Sequence, residues 1–209
     1  MIGAREALER LREGNERFVA DVRSRDTWPS RARRIELATG QAPFAAILGC
    51  SDSRVPVEIV FDQGLGDLFV IRVAGNVVAP SQIGSVEFAA EQFGTRLVVV
   101  LGHSKCGAIA ATLEQLQRPK ENQSHNLHSI VDFIRPSVEG LLATDLKHDL
   151  AALSREAVRA NIRTSVERLR HGSEIIEEMI QTQGLMVVGA EYSLDTGLVE
   201  FFPGTTDAG

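Results

Sequence analysis

Short runs of apolar residues without polar alternation recur along the chain and predict the strands of a buried sheet. They occupy residues 44–49, 68–73, 97–101 and 185–190. Because both sides of such a strand are apolar, each run is typical of a parallel strand that is covered on both faces. A fifth run, residues 198–202, follows the turn Asp195-Thr196-Gly197, so we expect it to pair antiparallel with the fourth.

Segments with helical periodicity lie between these runs. Residues 4–20 carry Leu8 and Leu11 among charged residues, and because this apolar stripe is short we expect a partner subunit to cover it. Ser30 is predicted to cap a second helix over residues 31–39. Further helices are predicted over residues 56–61, 81–93 and most of 106–182, with breaks near residues 118–122 and near Arg135-Pro136.

The alternation of strands and helices predicts an α/β fold. We expect a central, mostly parallel sheet of about four parallel strands plus an antiparallel edge strand, flanked by helices. The 209 residues are enough for one sizeable core, and the sequence carries no internal repeat or clear boundary. We therefore predict a single domain over residues 1–209, with an N-terminal helical arm over about residues 1–39.

Net charge, the length of the apolar runs and the cysteine count each exclude a class of function or location. The net charge of −6 provides no basic field to attract phosphates, so we predict no nucleic-acid binding. The arginines of residues 31–34 are the local exception, and we interpret them as a solvent-exposed helix face. No apolar run approaches the length of a membrane span, so no membrane association is predicted. Two cysteines do not make a disulfide framework, so we expect a reducing compartment, the cytoplasm.

Both cysteines follow predicted strands. Cys50 comes directly after the run 44–49, whereas His103 and Cys106 follow the run 97–101. The carboxyl ends of parallel strands meet at one edge of a sheet, where open α/β folds carry their chemistry. Zinc favours thiolate and imidazole ligands in a tetrahedral arrangement. We therefore predict one zinc site with Cys50, His103 and Cys106 as ligands, and with Asp52 or a water as the fourth.

Each half of this pattern is weak by itself, because buried structural cysteines are common. The pattern gains its specificity as a pair, since the two turns together use every cysteine of the chain. Arg54 is either half of a surface ion pair or a clamp that orients the Asp52 carboxylate, and we favour the clamp. The other histidines lie in polar, helix-like segments and are interpreted as solvent-facing: His125, His128, His148 and His171.

Two segments together resemble the β-class carbonic anhydrases: Cys50-Ser51-Asp52-Ser53-Arg54-Val55-Pro56 and Gly102-His103-Ser104-Lys105-Cys106-Gly107. The resemblance is close over residues 40–110. It implies the α/β fold expected above and one zinc ion per chain, bound by Cys50, His103 and Cys106.

The resemblance also implies an activity and a catalytic pair. In a closed state Asp52 is the fourth zinc ligand, whereas in an open state a water replaces it and Asp52 pairs with Arg54. The implied reaction is the reversible hydration of CO2 to bicarbonate and a proton through a zinc-bound hydroxide. Asp52, held by Arg54, accepts the hydrogen bond of that hydroxide and directs a lone pair at CO2.

Substrate-binding residues follow from the same resemblance. Gln41 matches a glutamine that hydrogen-bonds bicarbonate in the plant-like subgroup, and Phe69 matches an aromatic residue of the CO2 pocket. Phe88 stands where that subgroup usually has tyrosine, and Ala74 where it often has valine, which keeps the pocket apolar but changes its shape. The backbone N–H of Gly107 is implied to face the substrate oxygens.

A second subgroup has an inhibitory bicarbonate site that this chain matches only in part. Arg72 matches its arginine, but Ile47 stands at the position of its tryptophan. We therefore expect a plant-like enzyme without a bicarbonate-locked inactive state. The resemblance further implies a homodimer or higher homo-oligomer, in which the N-terminal helix wraps the neighbouring subunit and pocket residues are shared.

Three other interpretations compete with this one. The same zinc motifs suit a hydrolase of CS2 or COS on the same scaffold, because these molecules are close analogues of CO2. A non-catalytic zinc protein is less favoured, since a structural site has no use for an exchangeable ligand such as Asp52. A phosphate- or nucleotide-binding protein is least favoured, because the turn Gly64-Leu65-Gly66 lacks the Lys-Ser/Thr and the third glycine of the known motifs.

Overall fold

A computed structural model describes residues 2–24, 30–118 and 124–203. Its five strands are β1 (Ala45–Gly49), β2 (Leu68–Arg72), β3 (Leu97–His103), β4 (Met186–Tyr192) and β5 (Val199–Phe201). They form one sheet in the order β2-β1-β3-β4-β5, in which β1 to β4 are parallel and β5 is antiparallel to β4. The predicted α/β fold is confirmed.

Burial explains why the central strands lack polar alternation. Every residue of β1 and β3 is buried. Along β3, Val98 and Val100 belong to the core on one face of the sheet, whereas Val99 and Leu101 belong to the core on the other. Successive side chains of a strand point to opposite faces, so a sheet covered on both faces requires apolar residues at every position.

Helices cover both faces of the sheet. Helices α1 (Ala4–Val19) and α3 (Val57–Val60) pack on one face, and α2 (Arg31–Leu37) lies between them in the chain. The opposite face is covered by α4 (Pro80–Gln92), α5 (Gly107–Gln117), α6 (His125–Val138), α7 (Leu150–His171) and α8 (Glu174–Gln183). Short 3₁₀ segments lie at Ala74–Asn76, Glu139–Ala143 and Asp145–His148.

Helix α1 packs on the sheet of its own chain. Its amide side chain Asn15 donates hydrogen bonds to the backbone carbonyls of Val60 and Gly197, at 3.1 and 2.9 Å. Four apolar residues in its first two turns are almost fully buried, namely Ala4, Ala7, Leu8 and Leu11, whereas Val19 at its end is 41% exposed. The stripe that predicts a partner contact is therefore covered within this chain, because its small and aliphatic side chains fit the sheet face beside α3.

Two predicted helix ends can be compared with the structure, the start of α2 and the end of α6. The Ser30 side chain accepts a hydrogen bond from the Arg33 N–H at 3.0 Å, so the predicted cap of α2 is confirmed. The break predicted near Arg135-Pro136 falls two residues later, because α6 continues through Pro136 to Val138 before a 3₁₀ segment begins at Glu139. Ile134 and Val138 are fully buried and hold this last turn in the core, although Pro136 donates no backbone hydrogen bond.

The remaining helix predictions agree with the observed elements. The helices predicted over residues 56–61 and 81–93 correspond to α3 and α4. Every residue of α2 is at least partly exposed, in keeping with the predicted solvent-exposed face. Helix α5 ends at Gln117, and most of the break predicted near residues 118–122 lies outside the described residues. Within the described ranges, no helix combines the length and apolarity needed to cross a membrane.

Candidate metal centre

The parallel pairing of β1 and β3 brings the two motif turns together. Gly49, the last residue of β1, pairs with Leu101 of β3, so Cys50 and His103 emerge at the same edge of the sheet. Cys106 is the cap residue of α5, directly beyond that edge. All three side chains are buried, and one ligand atom of each lies within 4.8 Å of the others.

The geometry of these three side chains fits a zinc ion. Tetrahedral Zn²⁺ with Zn–S bonds of about 2.3 Å places two sulfurs about 3.7 Å apart, and the Sγ atoms of Cys50 and Cys106 are 4.0 Å apart. His103 Nδ1 lies 2.9 Å from the Ser104 carbonyl oxygen, so Nδ1 carries the proton and donates it there. His103 Nε2 is buried and has no hydrogen-bond partner among the described residues, which leaves its lone pair for a metal.

The two thiols are within hydrogen-bond reach of each other, which shifts their pKa values in opposite directions. The hydrogen bond from Cys106 lowers the pKa of Cys50 well below its ordinary value, and the backbone N–H groups of Asp52 and Gly75 lower it further. The pKa of Cys106 is raised, because its thiol is hydrogen-bonded to Cys50 and because it is buried. The N–H groups of Ala108 and Ile109, in the first turn of α5, act against that rise. Backbone N–H groups therefore stabilise both sulfurs in the thiolate form, which is the form that binds zinc.

A clamped carboxylate lies beside the three ligands. Arg54 Nε and Nη2 donate to the two oxygens of Asp52 at 2.8 and 2.7 Å, and the Arg54 backbone N–H donates at 3.0 Å. These hydrogen bonds hold the pKa of Asp52 well below its usual range, so the carboxylate is ionised at neutral pH. Asp52 Oδ2 is 3.8 Å from His103 Nε2. This is the Asp52–Arg54 pairing that the family resemblance implies for the open state.

Arg72 supports the same turn from β2, a role that the sequence analysis missed. Its guanidinium donates to the backbone carbonyls of Cys50 and Asp52 at 2.9 and 2.6 Å. The position of Arg72 explains the role, because it is the last residue of β2 and pairs with Gly49, directly before Cys50. Ile47, which stands at the tryptophan position of the other subgroup, is fully buried in β1.

Of the four predicted substrate residues, Gly107 alone lies next to the candidate metal ligands of its own chain, as the exposed first residue of α5. Gln41 is exposed and precedes β1, at the opposite end of that strand from Cys50. Phe69 pairs with Ala46, four residues before Cys50, which corresponds to about 13 Å along the strand.

Phe69 instead belongs to an aromatic patch on β2 and α4. We define this patch as Phe69, Phe88 and Phe93, whose ring centroids are 5.5 to 6.2 Å apart. Phe88 is 50% exposed. The patch lies at the β2 edge of the sheet, where β2 pairs only with β1 in the described chain.

The other candidates from the sequence form no comparable site. Among the described residues, Cys50, His103 and Cys106 are the only group of three or more side chains placed to hold a metal, and His125 and His128 are not part of it. The Gly64 N–H of the glycine-rich turn already donates to the Asp67 carboxylate at 2.8 Å. An anion of the chain itself therefore occupies the donor that a phosphate would need.

Comparison with known proteins places this geometry in a family. The sequence model of the carbonic anhydrase family matches residues 45–199, from the start of β1 to β5. The chain belongs to the β-carbonic anhydrases. It is 40% identical over 198 residues to carbonic anhydrase 2 of Mycobacterium tuberculosis, covering 91% of this chain and 89% of that protein. It is 39% identical to a carbonic anhydrase of Mycolicibacterium smegmatis, covering 93% and 91%.

Solved β-carbonic anhydrases share the fold. The β-carbonic anhydrase CcaA matches with a TM-score of 0.73 and 28% identity, covering 95% of this chain and 89% of that one. A β-carbonic anhydrase of Sordaria macrospora, one of two described as tetrameric, matches with a TM-score of 0.72 and 26% identity, covering 81% and 85%. The strand-end turns that carry the metal ligands thus lie on a scaffold that β-carbonic anhydrases share.

Proposed function

We propose that this β-carbonic anhydrase catalyses the reversible hydration of CO2 to bicarbonate and a proton, with one zinc ion held by Cys50, His103 and Cys106. The observation that carries the proposal is the convergence of these three ligand atoms within 4.8 Å. The clamped Asp52 carboxylate beside them distinguishes the site from a purely structural one, because a structural zinc site closes its fourth position with a fixed ligand.

Each residue around the metal has a distinct task. When bound, zinc lowers the pKa of a coordinated water from 15.7 to about 7 and so supplies a nucleophile at neutral pH. Asp52, ionised because of Arg54, accepts a hydrogen bond from that nucleophile and directs its lone pair at the carbon of CO2. Gly107 offers its N–H at the start of α5, where the helix dipole favours the anionic product.

We propose further that a second copy of the chain completes the substrate pocket. Gln41, Phe69 and Phe88 lie away from the metal ligands of their own chain, and Phe88 is half exposed at the free edge of β2. An exposed aromatic patch beside an unpaired strand edge is typical of a contact surface. A dimer with two-fold symmetry would place this patch of one chain against the metal turns of the other.

The oligomeric state tests the second-copy proposal directly. Sedimentation at micromolar concentration is expected to give a dimer or a multiple of it, and Phe88→Asp is expected to shift the protein towards monomer. Leu127→Asp, at an exposed leucine on α6, serves as the matched control and is expected to leave the assembly intact. A wild-type monomer with full activity would contradict the proposal.

We also propose a domain organisation and a cellular compartment for this chain. One core runs from α1 to β4 and the other from β1 to Phe202, beyond β5, which supports the prediction of a single domain with helix α1 packed on it. Both cysteines are free thiols, which supports a reducing compartment such as the cytoplasm.

Stopped-flow CO2 hydration on protein of known zinc content tests the activity. We expect hydration at about one zinc per chain, with Asp52→Ala reducing the rate while zinc remains bound. Full zinc content without CO2 hydration at any pH would contradict the proposal. CS2 and COS hydrolysis would then be measured, and inactivity on all three substrates would leave a non-catalytic zinc protein.

A further inference from the structure

The loop between β2 and α4 has an unusual backbone directly behind Cys50. Gly75 has φ +68° and ψ 20°, and the next residue, Asn76, also has a positive φ of 43°. A Cβ on Gly75 would lie 2.8 Å from Ile134 Cδ1, so a side chain here would have to displace Ile134, and the positive φ itself favours glycine. This conformation aims the Gly75 N–H at Cys50 Sγ, at 3.4 Å.

Helix α7 holds this loop with two buried polar side chains. Asn161 is 1% exposed, and its Nδ2 donates to the Gly75 carbonyl oxygen at 2.9 Å. Ser165, one turn further along, donates to the Asn76 carbonyl oxygen at 3.2 Å. Burying a carboxamide against an apolar core is costly unless it is paired, and aliphatic residues fill most of this helix face.

We propose that Asn161 is a positioning residue of the metal centre, which holds the Gly75 N–H on the Cys50 sulfur. The inference rests on the proposed zinc site and concerns the electron donation of one of its ligands. Among the described residues, no hydrogen bond joins Asn161 to Cys50, His103 or Cys106 directly. Asn161 acts through one residue, Gly75: it binds the carbonyl oxygen of the Gly75–Asn76 peptide, and the N–H of the preceding Ala74–Gly75 peptide meets the sulfur.

The physical consequence follows from the charge on the thiolate. An N–H donor draws electron density from a thiolate sulfur, which then donates less charge to the metal. Loss of Asn161 releases the Gly75–Asn76 peptide, and the φ and ψ angles of Gly75 can then relax and turn its N–H away from the sulfur, because glycine has many accessible conformations and the left-handed Asn76 persists only when its surroundings hold it. Without the N–H, Cys50 becomes the stronger donor of the two thiolates.

Metal substitution gives a readout that does not depend on activity. In wild-type protein loaded with an NMR-active cadmium isotope, we expect scalar coupling between the metal and the Gly75 amide proton, transmitted through the N–H···S contact. In Asn161→Ala this coupling is expected to disappear. In the cobalt(II) form of the same variant, the thiolate-to-metal charge-transfer band is expected to move to longer wavelength.

Ser165→Ala is the matched control, since it removes a hydroxyl from the same helix and loop without a path to Cys50. We expect it to keep the cadmium coupling and the cobalt spectrum of the wild type. Asn161→Leu, which fills the space with an apolar side chain, is a second variant for the case in which Asn161→Ala does not fold, and it is expected to lose the coupling.

The outcomes separate this inference from the zinc site itself. Wild-type protein whose cysteine protons couple to cadmium while the Gly75 amide does not would overturn the inference alone. Equal spectral changes in the Asn161 and Ser165 variants would also overturn it, because they would indicate general loosening of the loop. Failure of Cys50 and Cys106 to bind cadmium at all would overturn the proposed metal site.

Discussion

The metal turns and the aromatic patch differ in how complete each is within one chain. At the carboxyl ends of β1 and β3, the three ligand atoms have converged and Asp52 is clamped by Arg54. At the β2 edge, Phe88 of the aromatic patch is half exposed. Phe69 of the same patch pairs with Ala46, which lies about four residues before Cys50 along β1. One chain therefore builds the metal-binding half by itself, whereas we propose that the substrate half is used by its neighbour.

Removing a metal ligand is expected to have the largest effect on this comparison. His103→Ala leaves two sulfurs and no imidazole, so we expect zinc content near zero and CO2 hydration at the background rate. Metal analysis and stopped-flow kinetics check both results. His125→Ala, at an exposed histidine of α6, is the control and should retain zinc and activity. Wild-type zinc content in His103→Ala would show that the metal is bound elsewhere.

Neutralising the clamped carboxylate is expected to separate chemistry from metal binding. Asp52→Asn fills the same space but replaces one acceptor oxygen with a donor, so the nucleophile loses its orienting partner. We expect kcat to fall about 10²- to 10³-fold with zinc content unchanged. Rates within twofold of the wild type, at equal zinc content, would mean that Asp52 has no catalytic role.

Releasing the clamp is expected to change how stability depends on pH. Arg54 lowers the pKa of Asp52 in the folded protein, so the pair stabilises the fold above the unfolded pKa of about 3.9. That contribution is lost as the pH falls through the lower folded-state pKa. We therefore expect metal-free wild type to exceed metal-free Arg54→Met in unfolding free energy at pH 7, with the difference closing in strong acid. Urea denaturation across pH measures it, and a difference independent of pH would contradict the assignment.

Trimming the aromatic patch is expected to have the smallest effect on the metal. Phe88→Ala removes apolar surface at the proposed pocket, so we expect kcat/KM to fall about tenfold. Zinc content and the cobalt(II) spectrum should stay as in the wild type. Leu198→Ala, at another exposed apolar side chain, is the control. Loss of zinc from Phe88→Ala would mean that the two halves are not independent.

The convergence of the three candidate metal ligands is predictable from the sequence because the information for it is local. A strand buried on both faces has an unmistakable apolar run, and both cysteines follow such runs. Pro136 locates the end of α6 only approximately, because tertiary packing of Ile134 and Val138 extends the helix two residues past it. Arg72 and Asn161 act through backbone contacts across 20 and 86 residues, which no local pattern reveals.

The substrate half is hard to predict for a different reason. The resemblance assigns Gln41, Phe69 and Phe88 to a pocket, but no sequence pattern says which chain's metal they face. Within one chain they lie away from Cys50, at the far end or the edge of the sheet. We propose that their role depends on contacts between chains. In the structure of one chain, such a contact is indicated only by an exposed apolar side chain such as Phe88.

Co-expression of two defective chains tests the central claim, that metal turns and aromatic patch from different copies form one site. One chain carries Asp52→Ala and the other carries Gln41→Ala with Phe88→Ala, each with its own affinity tag. If the site is shared, the tandem-purified heterodimer has one intact site and about half of the wild-type rate per dimer. Both parent homodimers should remain strongly impaired. A heterodimer no more active than its better parent would contradict the claim.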